Sequence, residues 1–184
     1  VHMSNETEKK VKKISVKQIT LAALFAALVT VATTVVKIPT GINDGYLHFG
    51  DSMIYLAGCL LGPIAALSAA IGGALADILS GVPTWAPATA IIKACNAVPF
   101  IVAMHYYVKS KGKHRIVNLR TVLMTIVSGL ITAFGYLLAE GIMYSFPTAW
   151  TSFPISLIQA TGSAVIFLII GSALDAAKIQ RFIK

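Results

Sequence analysis

Charge is what this sequence has least of: Asp, Glu, Lys and Arg make up 12% of its 184 residues, about half the share in a soluble globular domain. Acidic groups are scarcest, seven against 15 Lys and Arg, leaving a net charge of +8. There are two cysteines, Cys59 and Cys95, both inside apolar stretches. They read as reduced packing thiols, not as a disulfide or metal pair. Catalytic patterns are missing too. There is no H-E-x-x-H, no C-x-x-C and no G-x-S-x-G, so no zinc hydrolase, redox dithiol or serine hydrolase is indicated. The Walker pattern G-x-x-x-x-G-K-[ST] is also absent, so ATP cannot be used by this chain unaided. The expectation is a protein that is not an enzyme and holds no metal or cofactor of its own. Long repeats, low-complexity tracts and a soluble domain are lacking as well. So is a signal-peptide pattern, because the apolar run has no A-x-A exit and apolar segments continue to the end.

What fills the sequence instead is apolar: 57% of residues, with a mean hydropathy of +0.79. That composition is a membrane protein's. Val1-His2-Met3 read as a cloning remnant. Six spans can be drawn, at about 15–37, 51–61, 64–80, 87–108, 120–144 and 154–177. The second is shorter than the ~20 residues a crossing needs, so it must be tilted or buried against its neighbours. Merging 51–80 into one span would give five crossings, but Gly62-Pro63 is a strong turn signal. Of the 15 basic residues, five lie at 9–17, five at 109–120 and three at 178–184. Only six crossings put all 13 on one side, the cytoplasmic one. Basic clusters flanking apolar spans argue for a lipid bilayer and against nucleic acid. The predicted organisation is a cytoplasmic basic segment at 1–14, an all-α membrane domain at 15–178, and a basic tail at 179–184, with both termini in the cytoplasm.

Charged side chains at membrane depth are costly, and each is a candidate for function. Asp51, Asp77, Lys93 and Glu140 are such residues, and the six-span topology puts all four toward the outside although they lie on four different helices. Helical spacing adds neighbours: Thr89, Lys93 and Asn96 share a face, as do Tyr136, Glu140 and Tyr144. Ser156, Gln159 and Ser163 stripe the last span. Bland alternatives stand beside these. Lys93 could pair with Asp77 or Glu140 to lock helices, and Asp51 could cap its helix. Gln159 could bond a neighbouring helix, and His48 could be a loop residue facing water. Trp85, Tyr144, Phe146, Trp150 and Phe153 either form an interfacial belt or wall a ligand pocket.

The stretch 46–94 resembles the substrate-binding S component of an energy-coupling factor (ECF) transporter, in the branch first named for riboflavin. The resemblance is carried by Gly50-Asp51, Leu60 to Pro63, Ala76-Asp77 to Gly81, Pro87, and Ile91 to Lys93. It implies a six-helix S-component bundle in a prokaryotic plasma membrane. It also implies partners: a membrane T component and two cytoplasmic ATPases, which hydrolyse the ATP. An A-x-x-x-A face on the first helix would dock the T component, matched here by Ala22 and Ala26 with Ala23 and Ala27 adjacent. Small residues at that spacing let helices approach closely in lipid. Residues 38–50 would form a lid, with Gly41 and Gly45 as its flexible points. The site would draw on Lys93, Asn96, Glu140, Gln159, Asp77, Tyr136, Tyr144, Trp85, His48 and Asp51. Such residues suit a small polar aromatic vitamin or precursor, such as hydroxymethylpyrimidine or pyridoxine. Riboflavin and an amine-bearing deazaguanine of the queuosine pathway also fit. The rival class is an autonomous proton-coupled secondary transporter, whose usual internal repeats are not visible.

Overall fold

Ser15 starts the first helix through a capping box: its hydroxyl accepts from the Gln18 amide at 3.2 Å, and its own amide donates to Gln18 Oε1 at 3.0 Å. In the computed structural model, residues 15–39, 41, 46–111 and 114–179 are described. The basic segment 1–14, most of the tail, and much of the expected lid, including Gly45, lie outside them. The helices are α1 (Val16–Thr34), α2 (Asp51–Leu61), α3 (Ile64–Leu79), α4 (Ala86–Lys111), α5 (Leu119–Met143) and α6 (Phe146–Ala176). A two-residue ladder, β1 (Ile38–Pro39) with β2 (Tyr46–Leu47), joins α1 to α2 antiparallel, pairing Ile38 with Leu47. A 3-10 turn, Pro83–Trp85, leads into α4.

Four of the helices, α1, α4 (with the preceding 3-10 turn), α5 and α6, are long and apolar enough to cross a membrane; α2 and α3 are shorter. An all-α membrane fold is thus the architecture. The reason α2 tolerates its length is burial: eight of its residues, among them Ile54, Tyr55, Leu56 and Cys59, are enclosed. A helix apolar on all sides belongs inside. It packs on α1, α3, α4 and α6. One to two turns below Asp51, Lys93 and Gln159, the rings of Tyr55, Phe100 and Phe167 lock three of these helices together. Tyr55 stacks on Phe100 at 4.5 Å, and Phe100 meets Phe167 edge-on at 5.1 Å.

Adjacent glycines on α3 serve two neighbours. A Cβ at Gly72 would stand 2.6 Å from Ala26 O and 2.8 Å from Val29 Cβ of α1. At Gly73 it would stand 2.8 Å from Lys93 Cγ of α4. Thr30 reinforces the first contact, with its hydroxyl 2.9 Å from Ala26 O and 3.0 Å from Gly72 O. Ala26 is accordingly buried, as is the α1 face around Phe25, Val29 and Thr33. Of the four alanines expected to dock the T component, Ala26 packs within the chain's own core and Ala22 is half-buried, whereas Ala23 and Ala27 are exposed.

The last span also differs from its reading. The stretch 145–153, which falls between the spans drawn at 120–144 and 154–177, is helical from Phe146 onward, because Ser145 caps it and Pro147 occupies its first turn. Pro154 lies inside the 31-residue α6 instead of opening it. At the opposite end, Asp175 holds the α5 entry loop, accepting from the amides of Ile116 at 2.8 Å and Val117 at 2.9 Å. Asp175 was not among the intramembrane charges singled out from sequence, because it stands beside the basic tail.

Candidate functional site

Lys93 and Asp51 meet where α2 and α4 cross. Lys93 Nζ donates to Asp51 Oδ1 at 2.6 Å, with side chains 1% and 0% exposed. Lys93 therefore pairs with neither of the partners foreseen for it, Asp77 or Glu140. Nor does Asp51 cap its helix: the cap position is Gly50, and no side-chain capping bond is made there. The alkyl stem of Lys93 reaches this point over Gly73, where no side chain stands in its way.

Asp51 collects two more donors through its other oxygen. Thr132 Oγ1 of α5 and Gln159 Nε2 of α6 both lie 3.4 Å from Oδ2. Thr132 in turn accepts from Asn96 Nδ2 at 2.6 Å, and Ser128 Oγ donates to the Asn96 carbonyl at 2.8 Å. Four helices thus share one buried network, the arrangement that makes enclosed charge tolerable. Asp51, Lys93, Asn96 and Gln159 are brought together as the sequence suggested. Thr132 and Ser128 were not foreseen; hydroxyl residues are common in apolar helices, and nothing in their spacing separates them from Thr125.

Aromatic rings cover the charged centre. Lys93 Nζ lies 5.1 Å from the centroid of the Tyr136 ring, within cation–π range. The Tyr136 hydroxyl is 3.3 Å from that of Thr89. Trp85 packs on Tyr136 at 5.9 Å and stacks on Tyr144 at 6.0 Å. The aromatic residues therefore divide. Trp85 is buried and belongs to the site, whereas Phe146 and Trp150 are exposed on the outside of α6. Asp77 and Glu140 are buried near the same end of α3 and α5.

His48 is 4% exposed and so is not a loop residue facing water. Its Nδ1 accepts from the Gly50 amide at 3.1 Å, which folds the end of the α1–α2 loop onto the helices. Burial, and secondarily the Lys93 cation, push its pKa from 6.5 down to about 3, against the pull of Asp51. The neighbouring Phe49 ring occupies the space that a Cβ on Gly162 of α6 would need. Phe49 and Gly162 went unnoticed in the sequence, since a lone Gly in an apolar helix says nothing about what rests on it.

Hydrogen-bonding capacity is left over around this centre. Asn96 Oδ1, Trp85 Nε1, Ser152 Oγ and Ser163 Oγ are all buried without a protein partner. Each such atom costs about 1–3 kcal/mol unless something bonds it. Among the described residues, no group of three or more His, Cys, Asp or Glu is placed to hold a metal ion.

An apolar helical bundle, four of whose helices are long enough to cross a bilayer, around a buried polar centre is a multi-pass membrane protein. The model of the family described as "ECF-type riboflavin transporter, S component" matches residues 13–176, and the chain belongs to that family. It is thus the substrate-binding subunit of an ECF transporter. It is also 35% identical over 139 residues to a Pyrococcus woesei protein described as an uncharacterised protein in the gap 3′ region, covering 75% of this chain and 88% of that one.

Proposed function

We propose that this subunit captures a small polar aromatic vitamin or precursor, of the size of hydroxymethylpyrimidine or pyridoxine, and delivers it inward. The work comes from ATP hydrolysis on two ATPases coupled through a T component. All six helices cross the bilayer, with both termini and the loop between α4 and α5 in the cytoplasm of a prokaryotic cell. The observation that carries this reading is the network of Asp51, Lys93, Asn96, Thr132 and Gln159 beneath Trp85, Tyr136 and Tyr144. A flat heteroaromatic ring stacks on the aromatic cover, while its hydroxyls donate to Asn96 Oδ1 and its ring nitrogens accept from Trp85 Nε1 and the buried serine hydroxyls. Asp77, Glu140 and His48 border the same space.

Riboflavin is the second reading, and the description of the matching family model favours it. Mass spectrometry of the molecule retained through gentle purification decides between them. Asn96→Ala should then weaken binding of that molecule about five- to tenfold by calorimetry, the value of one neutral hydrogen bond. Unchanged affinity in a folded Asn96→Ala variant would place the ligand elsewhere. Uptake that persists in cells lacking any T component would favour the autonomous transporter.

A further inference from the structure

A concavity lies at the other end of the bundle, far from Asp51 along α4. It measures about 640 Å³ and sits in the crook of the α4–α5 hairpin. Its walls are graded. Lys109, Ser110 and Arg120 stand toward the connecting loop, and Val102, Leu123 and Met124 toward the middle of the helices, with Tyr106 between. Helical spacing explains the gradient: 102, 106, 109 and 110 share one face of α4, and 120, 123 and 124 share one face of α5. From Val102 to Lys109 the rise is ~10 Å, the depth over which a bilayer passes from phosphate to acyl chain. Val102, Tyr106 and Leu123 are exposed on the outside of the bundle, so the groove opens sideways to lipid.

We propose that this groove binds an anionic phospholipid. Its phosphate lies between Lys109 and Arg120, with the Ser110 and Tyr106 hydroxyls in reach, and one acyl chain runs along Val102, Leu123 and Met124. Charge selects the headgroup. Both long side chains bring positive charge to the rim, and the walls of the cleft offer no carboxylate to neutralise them. A basic pocket between transmembrane helices at the cytoplasmic face suits such a headgroup. The apolar floor selects a lipid over a free phosphate, because a soluble anion leaves Val102 and Leu123 uncovered. The proposal rests on the membrane-spanning placement of α4 and α5, and not on which vitamin the other end holds.

The test uses the full chain in nanodiscs of phosphatidylcholine, with and without phosphatidylglycerol, read by native mass spectrometry and by the unfolding midpoint. Wild type should retain phosphatidylglycerol and unfold at a higher temperature when it is present. Lys109→Gln/Arg120→Gln should weaken that retention about tenfold or more, given the ~1 kcal/mol typical of each basic residue at an anionic surface. Lys17→Gln/Lys178→Gln removes the same charge from exposed positions elsewhere at that end and should retain the lipid. Equal loss in both double variants would reduce the effect to general attraction and overturn the site. Glycerol phosphate that stabilises as well as the lipid would overturn the role of the acyl chain. Lipid retention unchanged in Lys109→Gln/Arg120→Gln, with T-component assembly lost, would make the groove a protein interface instead. Unchanged vitamin binding in Asn96→Ala, beside a normal lipid response, would strike the other site alone.

Discussion

Asp51 and Lys93 are both fully buried, so each depends on the other to stay charged. Lys93→Met should lower stability by about 3–5 kcal/mol, the usual result of leaving one buried charge alone. Asp51→Asn should do the same, and the double variant should recover part of the loss; unfolding curves in detergent measure all three. His48 supplies a pH dependence of its own. Its folded form is neutral down to about pH 3, whereas an exposed imidazole takes a proton near 6.5. Stability contributed by the buried ring is therefore full above pH 6.5 and falls as pH drops from there toward 3. Wild type and His48→Gln should differ by a constant amount above neutrality and by a smaller one at pH 4.5; a parallel pair of curves would count against a buried neutral imidazole. At this scale the sequence was readable where a polar residue interrupts an apolar run, as at Asp51, Lys93 and Gln159. It was silent on pairing, because helix spacing fixes a residue's face and depth but not which neighbouring helix that face meets. Asp77 and Glu140 were the partners weighed for Lys93, and the crossing of α2 with α4 brings Asp51 to it instead.

Among the elements, α1 repays the most scrutiny, because its alanines face two ways. Ala26 is clamped against Gly72, whereas Ala23 and Ala27 lie on the exposed side with Leu24, Leu28 and Val31. We expect Ala26→Trp to destabilise the isolated subunit and weaken ligand binding, since α1 would be forced off α3. Ala23→Trp should leave ligand binding near wild type yet prevent co-purification with the T component. Full assembly by Ala23→Trp would move the docking face off α1. The ladder of alanines was visible in sequence, but its orientation was not: small residues suit an internal helix contact and an external one equally. Helix ends were legible where the turn chemistry is explicit, as at Gly62-Pro63. They were misread at Pro154, where proline normally argues for a boundary and the upstream cap at Ser145 prevails.

Over the whole molecule, six of the eight described Lys and Arg residues, Lys17, Lys109, Lys111, Arg115, Arg120 and Lys178, gather at one end. Lys93 sits in the central pair, and Lys37 bonds Ser80 O at the other end, which Trp85 and the aromatic cover mark. In a Cys95→Ser background, which removes the exposed native thiol, Thr84→Cys should react with an impermeant maleimide in intact cells. Lys111→Cys should react only after lysis, and the reverse pattern would invert the topology. The ion pair at the centre has an electrical side as well. A lone charge carried through the membrane potential exchanges about 2.3 kcal/mol per 100 mV. Any movement of the binding centre across the bilayer during the proposed delivery would carry it through part of that drop. Asp51 and Lys93 would travel as a neutral couple, so the voltage would do almost no work on them. The field would then act chiefly on whatever charge the cargo itself brings.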